Sequence, residues 1–136
     1  MLAAEIIEND TLRVRDTTVA IDVRMPWYRA LPLSSIAEAS LSIDGSVVDP
    51  DTVTWTVNGV TRPLAELAEL WDENWYVLDS ATIAGTLPAD IEPGREVTRQ
   101  VDVALSLYIP YLPNAAHGVL RIREQDTKSM TLKELP

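Results

Sequence analysis

Cysteine is absent from this 136-residue chain, and histidine occurs once, as His117. The first absence removes disulfides, thiolate metal sites and a cysteine nucleophile. The second leaves no His-rich metal centre, so a three-ligand zinc site would need carboxylates for its other ligands. Glycine is scarce too. Its five copies stand singly at positions 45, 59, 85, 94 and 118, and single glycines cannot build a loop that cradles phosphate. No G-x-S-x-G, H-E-x-x-H, P-loop or G-x-G-x-x-G motif is present. Lys and Arg together number 11 against 21 Asp and Glu, a formal net charge of −10. A nucleic-acid binder needs clustered cations to neutralise phosphates, and an anionic lipid surface would repel such a chain. Neither nucleic acid nor membrane is therefore expected as a partner. No run of eighteen apolar residues could form a spanning helix. Acids at positions 5, 8 and 10 stand where a signal peptide needs a basic start and an apolar stretch, which predicts a cytoplasmic protein.

What is present reads as one ordinary globular domain over residues 1–136. Apolar residues make up 46% and charged residues 24%, enough of the former for a core without metal or disulfide support. The dominant hydrophobic period is two. Leu12 to Arg15, Val19 to Arg24, Ile36 to Ile43 and Val53 to Val57 all alternate, as half-buried strands do. Asp44-Gly45 and Asn58-Gly59 supply the positive φ that two-residue hairpin turns need. Val97, Arg99, Val101, Val103, Leu105 and Leu107 give the longest alternation, with the apolar members inward, Asp102 and Ser106 outward, and residues 108–113 ending the strand. Residues 75–78, 81–87 and 119–123 read as further strands, and 126–136 as a short strand or a tail. Only Leu64, Leu67, Leu70 and Trp71 follow a helical face, about two turns long, with Pro63 at its start. Strands separated by turn signals, with one short helix, predict an all-β antiparallel β-sandwich of jelly-roll or immunoglobulin-like type. Trp55 and Val57 belong to its predicted core.

Three segments stand out as candidate sites. Residues 25–33 combine two aromatics, an arginine and two prolines with neither period. Such a segment either docks another chain, since Trp, Tyr, Met and Arg are enriched at interfaces, or plugs one end of the sandwich. Residues 108–113, with Tyr108 and Tyr111, repeat this character. Trp71 and Trp75 flank Asp72 and Glu73 and could stack on sugar rings or anchor the core. Asp72 and Glu73 are adjacent, so an extended backbone would point them to opposite faces, which makes a poor catalytic pair. His117, in a loop before Gly118, is either a solvated turn residue or a base lent to a composite site.

The stretch Arg24-Met25-Pro26-Trp27-Tyr28-Arg29-Ala30-Leu31-Pro32-Leu33-Ser34 resembles the R-x-P-Y-Y-R-G-x-P-L-S stretch of the small β subunit of bacterial C-glycoside deglycosidases. Ile43-Asp44-Gly45-Ser46-Val47, Trp75 followed by Asp79, and residues 108–113 recur in the same order, so the resemblance covers residues 12–122. Trp27 replaces a Tyr and Ala30 a Gly of that pattern. The Ala implies that no positive φ is required there, or that it is strained.

The resemblance implies a β-sandwich subunit that needs a larger α subunit of sugar-isomerase barrel type. That partner would hold a divalent metal, commonly manganese, and the main catalytic groups, and this chain would carry no cofactor. The implied substrate is a flavonoid-type C-glycoside already oxidised to its 3-oxo form. Its C–C glycosidic bond would break by elimination, which makes the complex a carbon–carbon lyase. Interface residues are then expected among Arg24, Met25, Pro26, Trp27, Tyr28, Arg29, Tyr108 and Tyr111, with no metal site in this chain and His117 as the one weak catalytic candidate. The competing readings are a non-catalytic carbohydrate-binding sandwich that stacks sugars on Trp27, Trp71 or Trp75, and a free-standing carboxylate enzyme.

Overall fold

Alternation of period two becomes strand wherever it is long. The computed structural model describes residues 5–92, 97–114 and 118–136. Its strands are β1 (Arg13–Arg15), β2 (Thr18–Val23), β3 (Leu31–Pro32), β4 (Ile36–Ile43), β5 (Ser46–Val47), β6 (Thr54–Val57), β7 (Val60–Pro63), β8 (Asn74–Trp75), β9 (Ala81–Thr86), β10 (Thr98–Asn114), β11 (Gly118–Thr131) and β12 (Lys133–Glu134). One helical turn, α1 (Leu64–Leu67), interrupts them. Six strands form one sheet in the order β12-β1-β2-β9-β6-β7. Four form a second, β11-β10-β4-β5, and β3 pairs with β8 in a short ribbon. Every pair is antiparallel except β1 with β12.

The inward residues of both large sheets make one apolar core, so the arrangement is a sandwich. Val19, Ile21, Val23, Trp55, Val57 and Ile83 come from the six-stranded sheet. Leu41, Ile43, Val101, Val103, Leu105 and Leu107 come from the four-stranded one. Trp55 and Trp75 meet edge to face at the centre, with ring centroids 5.6 Å apart, a geometry that the ring quadrupoles favour. The two predicted hairpins form. Asp44 and Gly45 have φ of 49° and 83°, and Asn58 and Gly59 have 54° and 79°, as a type I′ turn demands. Gly85 has another role. A Cβ there would lie 2.5 Å from Val48 Cγ1, so its missing side chain lets the segment between β5 and β6 lie close on β9.

Several local expectations are corrected. The helix is one turn, not two, and Pro63 sits just outside it as its N-cap residue. Leu67 is buried, but Trp71 is 76% exposed, because the chain leaves the helix at Ala68 before Trp71 can join that face. The predicted strand at 75–78 stops at Trp75. Trp75 donates its indole N–H to the Asp79 carbonyl at 2.9 Å, and Asp79 N–H returns to the Tyr76 carbonyl at 3.0 Å. That turn leaves Leu78 83% exposed. Residues 108–113 do not end β10, which continues to Asn114 with a register shift between Ile109 and Pro113. Val97 precedes the strand and is 39% exposed, whereas Ser106, expected outward in solvent, is only 4% exposed. Asp102 on the same face is half-buried. From Asp126 the chain completes β11 and then forms β12, which lies parallel to β1.

Candidate docking surface

Strand register brings the three unusual segments to one end of the sandwich. β2 ends at Val23, which pairs with Ala81 at the start of β9. The loop leaving β2 and the loop entering β9 therefore emerge side by side. The β3–β8 ribbon ties them, with Leu31 opposite Trp75 and Pro32 opposite Asn74. Leu33 N–H donates to the Glu73 carbonyl at 2.8 Å, and Ser34 N–H to the Leu70 carbonyl at 3.2 Å. β4 begins at Ile36, opposite Leu107 of β10. Beyond that point, among the described residues, β10 pairs with β11 alone, so residues 108–114 and 118–121 form a two-stranded arm at the same end.

Side chains close the gap between loop and arm. The Trp27 indole N–H donates to the Tyr111 hydroxyl. The Arg29 guanidinium lies 4.9 Å from the Tyr111 ring centroid, within cation–π range. Trp27 and Tyr28 stack at 4.9 Å and 41°. Trp27 is half-buried against the core, while Tyr28 stands 70% exposed. Arg29 makes no ion pair among the described residues. Tyr108 lies under the Arg121 guanidinium at 5.6 Å, and Arg121 pairs with Glu38 at 3.1 Å.

The other expected residues of the segment have structural duties. Met25 is buried in the core, Pro26 half-buried, and Arg24 bonds Glu8 at 2.9 Å. Ala30 is not among the residues with positive φ, so the exchange from Gly leaves the loop unstrained there. His117 lies outside the described residues.

Of the three tryptophans weighed for sugar stacking, Trp75 is fully buried, Trp27 half-buried and Trp71 exposed. Tyr76 and Leu78 join the exposed apolar groups of this end. Sequence reasoning missed them because Trp75, Tyr76, Val77 and Leu78 read as one strand. The acceptor of the Trp75 indole is a main-chain carbonyl, which no residue type in the sequence announces.

Polar bonds hold the apolar surface in place. Arg62 grips Glu73 with both ends of its fork, at 3.0 and 3.1 Å, a geometry stronger than a single contact. Asn58 donates to the Asn74 carbonyl at 2.8 Å. The Arg62 hydrogen bonds, with a smaller contribution from Asn58, hold the Glu73 carboxyl below its usual range. The loop carrying Trp71, Tyr76 and Leu78 is thus pinned to β7 and the β6–β7 turn. Among the described residues no three His, Cys, Asp or Glu side chains converge to hold a metal, and no helix is long and apolar enough to cross a membrane.

An all-β sandwich with a braced aromatic end is the class of protein that these features define. Residues 2–111 match the family model of the C-glycoside deglycosidase beta subunit, and the chain belongs to that family. A C-glycoside deglycosidase beta subunit of Arthrobacter globiformis is 45% identical over 134 residues, covering 98% of this chain and 99% of the relative. A protein of the same name from Microbacterium trichothecenolyticum is 42% identical over 130 residues, covering 96% of each chain. A 3'-dehydrocarminate deglycosidase beta subunit from a Microbacterium species is 40% identical over 135 residues, covering 99% and 98%.

Proposed function

We propose that this chain is the accessory subunit of a cytoplasmic, hetero-oligomeric C-glycoside deglycosidase and that its aromatic end docks a larger α subunit of barrel type. The observation that carries the reading is the cluster of Trp27, Tyr28, Arg29 and Tyr111. One aromatic is held by the core, one projects into solvent, and an arginine lies beside them without an ion-pair partner among the described residues. Buried aromatic and arginine anchors of this kind dominate binding energy at protein interfaces. The family name and the relatives' names support the assignment to a deglycosidase.

The chemistry follows from a 3-oxo C-glycoside. The ketone acidifies the proton at C2. A base removes that proton, the C1–C2 double bond forms, and the bond from C1 to the aryl carbon breaks. The departing aryl carbon takes up a proton, so atoms and charge balance in an elimination. A base, an acid and an electrophile at the ketone are required. The proposal assigns them, with the divalent metal, manganese by preference, to the α subunit. This chain supplies a wall that excludes water from the reacting sugar. A carboxylate enzyme acting alone is not favoured, since Glu73 is spent on Arg62.

Co-expression with a barrel-type α subunit tests the reading. Arg29→Ala should cut copurification while the isolated sandwich keeps its melting temperature, and turnover of a 3-oxo C-glycoside should require both chains. Full activity of either chain alone would overturn it. A His117→Ala complex with normal assembly and metal content should keep most of its turnover; its loss would give this chain a catalytic group.

A further inference from the structure

A sheet edge presents unpaired main-chain groups, and folded proteins blunt such edges. Three of the outer edges of the two large sheets are blunt. β5 and β12 are two residues long, and β7 has four residues and ends at Pro63. The remaining edge is β11, which has 14 residues and no proline.

Hydrogen-bond alternation tells which of its groups are open. Leu132 N–H bonds the Val97 carbonyl, and Gln100 turns both its N–H and its C=O to Asp44, on the β4 side. Main-chain groups along an antiparallel strand alternate between its two neighbours. Odd-numbered residues of β10 from Arg99 to Leu107 therefore bond β11, where Met130, Lys128, Asp126, Glu124 and Ile122 stand opposite them. Arg121, Arg123, Gln125 and Thr127 turn their own N–H and C=O to the outer edge. The far part of that edge is covered. Thr127 N–H donates to the Asp126 carboxylate at 2.9 Å, and the same carboxylate accepts from Ile6 and Ile7 N–H at 3.0 and 2.9 Å. Lys128 reaches the Ile7 carbonyl at 2.6 Å. The amino-terminal segment thus lies against residues 126–128. Among the described residues no main-chain partner meets Arg121, Arg123 or Gln125 on the outer side. This open stretch runs straight into the arm of residues 108–114 and 118–121.

A second copy of the chain does not fit the open stretch. Antiparallel pairing about a two-fold axis centred on Arg121 or Arg123 sets that arginine against itself. Centred on Ile122 it sets Arg121 against Arg123, and centred on Glu124 it sets two glutamates face to face. Like charges directly opposite destabilise a sheet. The outward side chains ask for acids instead. Arg121 pairs with Glu38, but Arg123 has no carboxylate partner among the described residues, its bond being to Gln125 at 3.4 Å. The inward side chains, Leu120 and Ile122, pack on the core yet are only partly buried.

We propose that the open edge of β11 takes up an extended segment of the α subunit as an added strand, with acidic side chains opposite Arg121 and Arg123 and apolar ones opposite Leu120 and Ile122. Main-chain bonds give such strand addition its affinity, and alternate side chains give it specificity. The proposal rests on the docking reading above and adds the manner of contact and the chemistry of the contacting segment.

Residue-resolved hydrogen exchange on the free chain and on its complex with the α subunit is the test. The amide hydrogens of Arg121, Arg123 and Gln125 should exchange fast in the free chain and about tenfold or more slower in the complex. Those of Ile122 and Glu124, already in the ladder, should be slow in both. Arg123→Pro removes a donor that the β10–β11 ladder does not use, and edge strands tolerate proline there. It should weaken α-subunit binding about tenfold or more, through one lost main-chain bond and the bulk of the ring. Arg123→Glu keeps the N–H and should weaken binding through charge alone, more so at low salt. Should the proline variant fail to fold, the charge reversal and the exchange pattern decide. If the wild-type complex forms and Tyr28→Ala weakens it, yet the three amides stay fast and neither Arg123 variant changes affinity, the docking reading stands and this proposal falls. Protection that grows with the concentration of this chain alone would assign the edge to a second copy and overturn it too. Failure of the wild-type chains to associate would overturn both.

Discussion

The two ends of the sandwich solve the same problem with opposite materials. At one end lie the turn at Asp44-Gly45, the β1–β2 turn, the start of β10 and the last residues of the chain. Polar groups there bond back to the backbone. Asp44 accepts from Gln100 N–H at 2.8 Å and from Arg99 at 2.9 Å. Leu87 N–H bonds the Thr17 carbonyl at 2.7 Å, and Leu132 N–H the Val97 carbonyl at 3.0 Å. No aromatic residue is found there among the described residues. At the other end stand Trp27, Tyr28, Trp71, Tyr76, Tyr108 and Tyr111, with Leu78 among them. That end is braced as firmly, by Arg62 on Glu73, Asn58 on Asn74 and the β3–β8 ribbon. Its exposed apolar groups are therefore not slack packing. Polar bonds fix the backbone so that the aromatics face outward, and apolar exposure gathered on one braced end is what an interaction surface looks like.

The comparison can be broken most severely from beneath. Trp75→Ala removes the side chain on which the aromatic end rests and should cost about 3–5 kcal/mol, read as a fall in the denaturant midpoint of the isolated chain. A loss below 1 kcal/mol would mean that the aromatic end does not rest on the core.

A second variant separates display from support. Tyr28→Ala should weaken binding to the α subunit by about tenfold or more, measured by titration of one purified chain into the other, with the melting temperature unchanged. Val47→Ala, an exposed apolar residue at the polar end, should change neither. Equal effects of the two on assembly would erase the distinction between the ends.

Acid should weaken both ends. The carboxyls of Asp44 and Glu73 are held below their ordinary values. The Gln100 N–H acts first at Asp44, then Arg99; Arg62 acts first at Glu73. A carboxyl whose folded pKa is depressed contributes stability that is present above its unfolded pKa, about 4. That stability drains away as pH falls through the lowered folded value. Urea midpoints measured downward from about pH 5 should therefore decline. Asp44→Asn and Glu73→Gln should each flatten the decline, and both groups are exposed enough that the effect stays small. An unchanged slope in the double variant would remove these two carboxyls from the acid response.

The smallest effect is expected at Trp71, which is displayed but supports nothing. Trp71→Ala should change stability by no more than about 0.5 kcal/mol in the same denaturation experiment. A larger loss would return it to the helical face on which its spacing suggested it belongs.

Local physics was legible in the amino-acid order alone. Alternating Val, Leu and Ile residues make strands because side chains of a pleated backbone point to opposite faces. Asp-Gly and Asn-Gly make hairpins because they tolerate positive φ. The proline-interrupted stretch of residues 25–33 could not be regular. Even the family could be read from that stretch, because its residues are spaced as a motif. Pairing over long separations was decided by the tertiary structure alone. Trp27 meets Tyr111, and Leu31 meets Trp75, only because β2, β9 and β10 run in particular registers, and nothing local to any of these residues encodes its partner. The same holds for burial. Ser106 reads as a solvent-facing residue and Trp71 as a core residue, since period predicts which face a side chain takes but not what lies over it. Two sheets, one short ribbon and a two-stranded arm supply that cover, and with it the difference between the molecule's two ends.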